Sequence, residues 1–192
     1  MDVKTSSAAR VVWDLSDLFA SHDDPRLRET LEALQGRAEA FAQRYRKTIN
    51  VPRGPTASHL LEALRDLEAI EEGMSRAATY AGLLYASDSL RPEYQDLQQR
   101  VEQWLTGVRN RLLFFDLEWL DLEESAAARL IADPVLTGYR HYLAHGRRYR
   151  PHKMSEAEEQ VVNEKDNTGR RAFGRLFTEL LSSLSFPLED EG

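Results

Sequence analysis

The chain has no cysteine. Disulfides, thiolate metal sites and cysteine nucleophiles are therefore excluded together. It has no apolar run near the roughly 20 residues needed to span a bilayer; the longest aromatic-aliphatic run is LLFF at 112–115. Its opening MDVKTSSAARVVWDL lacks the apolar core of a signal peptide. It also lacks a basic excess: the formal net charge is -7 over 192 residues. Such a balance offers no overall attraction to nucleic acid or an anionic membrane surface. These absences describe a soluble protein with a cytoplasmic location, no nucleic-acid partner and no membrane partner. No internal repeat or low-complexity tract is present. A charged fraction of 30% and a hydrophobic fraction of 42% fit a folded domain.

What is present is helical periodicity. Asp24-Pro25 supplies an N-cap followed by proline at the first helical position. Leu27, Leu31, Leu34, Ala38, Phe41, Ala42 and Tyr45 then form one stripe. NVPRGP enforces a turn. A second helix is predicted over about 58–86, with small residues near Ala77–Gly82 suggesting a close helix-helix approach. Pro92 opens a third, whose Leu97, Val101, Trp104, Leu105, Val108, Leu112 and Phe115 repeat at three and four. Shorter helices follow over 122–131 and 135–145, the latter ended by Gly146 as a C′ residue. Ser155 with Glu158 forms a capping box, and DNTG at 166–169 interrupts the helix it starts. A last helix carries Phe173, Leu176, Phe177, Leu180, Leu181 and Leu184. WDLSDLF, 13–19, is expected to dock through Trp13, Leu15, Leu18 and Phe19. The tail LSFPLEDEG alternates like a strand.

The expected fold is all-α: a bundle of long antiparallel helices plus shorter helices, with the start of a strand at a truncated C-terminus. The expected divisions are an N-terminal arm over 1–20, a helical domain over 21–185, and the start of an absent following region over 186–192.

Candidate chemistry is sparse. HYLAH places His141 and His145 four apart on one helix face. Zinc peptidases use H-E-x-x-H, but Tyr142 stands at the glutamate position and no third ligand is evident. Two histidines on an ordinary helix is the favoured reading, with no metal ligand assigned. The basic run HGRRYRPHK, 145–153, suits either an acidic partner or a helix C-terminus facing solvent, and the second reading is preferred. GMSRA at 73–77 only echoes a nucleophile elbow. GRRAFG at 169–174 lacks the Lys and Ser/Thr of a phosphate loop. The residues three before the five histidines are Phe19, Thr56, Gly138, Tyr142 and Tyr149, so no di-metal Glu-x-x-His motif exists. Glu118, within FFDLEWL, leaves two readings open: a partly buried carboxylate needing a cation or a raised pKa, or an exposed helix-end acid.

The order of several segments resembles a known family. These are WDLSDLF at 13–19, YAGLLYASDS at 80–89, LLFFDLEWL at 112–120, YRHYLAHGRRYRPHKMSEAEEQ at 139–160, and FGRLFTELLSSLSF at 173–186. Together they resemble the N-terminal region of oligoendopeptidase F, a zinc metallopeptidase related to thimet oligopeptidase. The resemblance runs from Trp13 to the end and rests on order and spacing, since no single segment is diagnostic. It implies a mostly helical protein enclosing a channel for short peptides. One wall comes from this helical region. The other carries H-E-x-x-H and a further glutamate as zinc ligands. No such motif occurs here, so no catalytic residue and no zinc ligand transfers to this chain. The resemblance therefore implies zinc only in a full-length parent, with a C-terminal catalytic domain and short peptides as partners. Tyr80, Tyr85 and Asp88 are the candidates for the channel side; as ordinary residues, the tyrosines would be core and the aspartate a loop or capping acid. The alternative is a free-standing helical interaction module whose open apolar face self-associates.

Overall fold

The structure is a computed structural model that describes residues 13–185. The strand expected from Phe186 onward, and residues 1–12 of the expected arm, lie outside the described residues. Within them there are seven α-helices and no strand: α1 Pro25–Tyr45, α2 Ala57–Ser87, α3 Pro92–Asp121, α4 Glu124–Ala132, α5 Arg140–Arg147, α6 Glu156–Thr168 and α7 Arg170–Ser183. Short 3₁₀ segments at Pro134–Tyr139 and Arg150–His152 flank α5.

The first three helices run up, down and up, and their apolar stripes meet. Asp24 caps α1 by accepting from the Arg26 N–H, with Pro25 behind it. Phe41 near the end of α1 packs on Phe114 and Phe115 near the end of α3. Arg44 reaches Glu62 and Asp66 at the start of α2, which sets α1 and α2 antiparallel. The core includes Leu34, Tyr45, Leu64, Met74, Leu105 and Phe115. At Gly73, α2 leaves no room for a side chain beside Leu34 of α1. A Cβ there would lie 2.7 Å from Leu34 Cδ2, inside van der Waals contact. GMSRA is thus a packing motif, and Ser75 is an exposed helix residue.

Three sequence expectations need correction, one at the N-terminal segment and two at α5. Phe19 is buried edge-on against Tyr80 and Leu15 and Leu18 pack partly on the core, but Trp13 is exposed. The helix expected over 135–145 is split: a 3₁₀ segment ends at Tyr139 and α5 begins at Arg140. Gly138 lowers helix propensity at that break. Gly146 does not end α5, which continues through Arg147.

Arg147 explains that continuation. Its guanidinium is buried and donates to the carbonyls of Trp119 at 2.7 Å and Leu122 at 3.0 Å, and to Glu124 at 2.7 Å. It therefore caps the C-terminus of α3, where orphan carbonyls and the negative end of the helix dipole favour a cation. Lys153 pairs with Asp121, and Arg150 lies 3.5 Å from Glu124. Much of the basic run is thus engaged at the α3–α4 junction.

Glu118 is partly buried, in line with the first of its two expected readings, but backbone N–H groups and not a cation meet its charge. Its carboxylate accepts three backbone N–H groups from the turn after α1: Lys47 at 2.6 Å, Ile49 at 3.1 Å and Asn50 at 3.3 Å. Lys47 sits at φ 66°, a left-handed conformation that this clamp helps to hold.

Replacing Arg147 tests the cap. Arg147→Leu should cost about 3 kcal/mol in urea unfolding, because Glu124 and two helix-terminal carbonyls lose their partner. Arg147→Lys should recover only part of that, since an ammonium lacks the planar fork. Full recovery by lysine would show that charge alone matters.

Candidate functional site

From Ser155 the chain returns along α3 in the opposite direction. Ser155 and Glu158 form the expected capping box. Asn163 and Asn167 on α6 bond Asn110 and Thr106 on α3. At Gly169 the helix breaks with φ −99° and ψ −112°, where a Cβ would lie 2.9 Å from the Lys165 carbonyl oxygen. The first glycine of GRRAFG is therefore a helix breaker. After it, α7 crosses the far ends of α2 and α3.

The polarity of α7 is inverted relative to an ordinary surface helix. Of its polar residues, Arg171, Arg175 and Glu179 are the ones partly covered by the bundle. Arg175 pairs with Glu102 of α3 at 2.6 Å, and Ser182 meets Ser89 at 2.8 Å. Its apolar residues face outward: Phe173 is 72% exposed, Phe177 64%, and Leu176, Leu180, Leu181 and Leu184 are all half exposed or more. Spacings of three and four put all six on one stripe. On a monomer a continuous apolar surface of this size marks an interaction site.

The three candidates for a channel side lie on α2 and at its C-terminal end. Tyr80 is in the core, against Phe19. Tyr85 is buried at the α2–α7 crossing, its hydroxyl 3.5 Å from Glu179 and from the Arg175 carbonyl. Burial, with Glu179 beside it, pushes its phenol above the usual range. Asp88 is exposed at the end of α2 and accepts from the Leu90 N–H at 3.3 Å. They follow one edge of α2 and do not converge on one cavity.

His141 and His145 stack with ring centroids 5.8 Å apart. Among the described residues no three His, Asp or Glu side chains are grouped to hold a metal ion. They do not form the donor set needed for the zinc that the resemblance implies.

Sequence reasoning passed over Asp116, two residues before Glu118. Its carboxyl lies 3.3 Å from the Tyr142 hydroxyl, in a concave surface between α3 and α5. Asp116 is exposed along one side, yet crowding by the cleft walls raises its pKa; the Tyr142 contact opposes that, and the like charge of Glu71 adds to it. The Tyr142 phenol is also raised, chiefly by desolvation and then by Asp116. The available signal was position: Asp116 stands between Phe115 and Trp119 on a helix whose stripe is otherwise core.

Comparison with known proteins agrees with the resemblance in the motifs. A family model described as Oligopeptidase F matches residues 118–186. The oligopeptidase PepF of Bacillus subtilis (strain 168) is 26% identical over 157 residues, covering 81% of this chain and 22% of that protein. The chain therefore spans about a fifth of the length of this curated relative. No solved structure matches. The likeness to the N-terminal region of oligoendopeptidase F is thus supported by a family model and by a curated relative.

Two outcomes follow for these side chains. Asp116→Asn should leave stability at pH 7 equal or higher, because a raised pKa means that the folded state disfavours the ionised acid. That penalty is absent below the carboxyl's unfolded pKa and develops as pH rises through its folded value. Thermal melts from pH 3 to 8 should show the variant gaining on the wild type with rising pH; a loss at pH 7 would contradict the assignment. Elemental analysis of the purified chain should find no stoichiometric zinc, with His141→Ala unchanged, whereas a near-equimolar signal abolished by that substitution would establish a metal site.

Proposed function

We propose that this chain is the N-terminal helical part of an oligopeptidase F-like zinc metallopeptidase that hydrolyses short peptides. In this reading it supplies a wall of the substrate channel and no catalytic group. The zinc ligands and the general base belong to a C-terminal catalytic domain outside the described chain. Support comes from the family match and the curated relative, whose length is several times that of the matched stretch.

The observation that carries the reading is the outward apolar stripe of α7. Covering the exposed part of six large apolar side chains is worth roughly 1 kcal/mol each. The polar contacts holding α7 to the bundle are a Glu102 pair and a few hydroxyl bonds, worth on the order of 1 kcal/mol each at partly exposed sites. A helix held this way round is favoured when further protein covers its outer face. The catalytic domain is the proposed cover. In the isolated chain the same stripe is free to pair with a second copy.

Asp88, open to solvent at the edge of α2, is the candidate placed on the channel side. Tyr85 and Tyr80 are proposed to hold that edge from beneath.

The natural full-length protein should cleave quenched-fluorescent short peptides, with loss on chelation and recovery with zinc, while residues 1–192 alone should not. Hydrolysis by the purified short chain would end the reading. Phe173→Ser with Phe177→Ser should change the short chain's unfolding free energy by no more than about 0.5 kcal/mol when measured at a dilution where the chain is monomeric, as for exposed sites. In the full-length protein each should cost about 3 kcal/mol, as for buried phenylalanines. Equal effects in the two contexts would remove the proposed cover.

A further inference from the structure

The surface between the end of α3 and α5 holds a cleft of about 270 Å³, and its use lies outside the peptidase reading. Trp119, Leu120, Tyr142, His145 and Tyr149 line it around the Asp116 carboxyl. Four of these six side chains are aromatic rings and one is an acid. Among the described residues no lysine or arginine lines the cleft, and the other charge acting on Asp116 is the carboxylate of Glu71. The nearby Arg147 guanidinium is engaged by α3 carbonyls and Glu124 and lies 5.6 Å from the Trp119 ring centroid, so Trp119 is a buried wall and the rings left for a ligand are the exposed Tyr142 and Tyr149.

This arrangement selects one sign of charge. A carboxylate without a cation, a second carboxylate nearby and the negative faces of aromatic rings all disfavour an anion and favour a cation. It also selects the kind of cation. Calcium and magnesium require six or more oxygen ligands, and zinc about four nitrogen, sulfur or oxygen donors. One carboxylate and one phenol do not provide either set. An organic cation needs only a charge-assisted hydrogen bond and a ring to lie against. The cleft volume is near the lower end for small-molecule sites, a size suited to one side-chain group.

We propose that this cleft binds a guanidinium or alkylammonium group, held by Asp116 against the exposed rings of Tyr142 and Tyr149. HYLAH then has a use unrelated to metal: Tyr142 and His145 are two walls of the site. The same group occurs on free amines and on basic residues of peptides, and the test separates these sources.

Wild-type chain is titrated with arginine amide, with citrulline amide as the isostere whose side chain is neutral, and with Ala-Ala-Arg-Ala-Ala, all three Nα-acetylated so that no α-ammonium remains, following the Trp, Tyr and His ring protons by NMR. Saturable shifts with arginine amide are expected at a Kd on the order of 1 mM, and none with citrulline amide. Asp116→Asn should weaken binding about tenfold or more, and Tyr149→Ala, at an exposed position, about threefold or more. Binding of the pentapeptide at least about tenfold tighter assigns a peptide side chain; equal binding assigns a free cation. Lack of saturation by either cation, equal binding of citrulline amide, or affinities unchanged in both variants overturns the proposal. Circular dichroism shows whether each variant is folded, and should Asp116→Asn fail, the citrulline arm and Tyr149→Ala still decide. Because the readout is binding, the outcome is independent of peptide hydrolysis.

Discussion

The last two turns of α3 are the constraint on which the remaining architecture depends. They face four directions with four different chemistries. Phe114 and Phe115 close the core against Phe41. Glu118 gathers three N–H groups of the turn after α1, which fixes how α1 hands over to α2. The Trp119 indole N–H donates to the Leu143 carbonyl at 3.1 Å, holding α5 to the helix. Arg147 returns from α5 to cap the α3 carbonyls. Each tie satisfies backbone groups that would otherwise lie orphaned near the core, so loss of any one exposes an unpaired polar group as well as a contact.

Where that anchoring stops, the chain changes character. Along α6 and α7 no residue is buried, and contact with α3 is carried by amides, hydroxyls and ion pairs. Polar contacts of this kind fix orientation at little net energy, because desolvation offsets much of the attraction. Apolar area, which supplies most stabilisation in helical bundles, is turned away from the body on α7. Positioning without burial is what an element requires when its other side belongs to an interface.

Legibility in the sequence followed this division. The all-α class, the caps at Asp24 and Ser155, the proline starts of α1 and α3 and the break at Gly169 were all readable, because each is a local signal with one dominant physical cause. Stripes on α1 to α3 identified core residues correctly. The equally clean stripe on α7 did not, since periodicity reports which side chains share a face and not whether that face meets the same molecule. Glu118 and Arg147 escaped for a related reason. Their partners are backbone groups about 70 and 25 positions away, and no spacing rule links a side chain to a distant carbonyl or N–H. Asp116 was hidden by its neighbour, the more conspicuous acid in FFDLEWL. Of the candidates at the α2 edge, Tyr80 and Tyr85 carry core-like spacing, and burial is where the structure puts them.

The two open features of this surface, the α7 stripe and the Asp116 cleft, are physically separate. Glu102, under α7, and Asp116 are 14 residues apart on one helix, about 21 Å at a rise of about 1.5 Å per residue. At that distance exposed charges are screened by salt at physiological strength. Burying the stripe would therefore leave the field inside the cleft nearly unchanged, and filling the cleft would not alter what covers α7. The direct mechanical link is α3, which is pinned at the cleft end by Arg147 and Glu118 and at the other by the Arg175–Glu102 pair. A stiff helix so held gives each site a fixed frame without requiring that either sense the other.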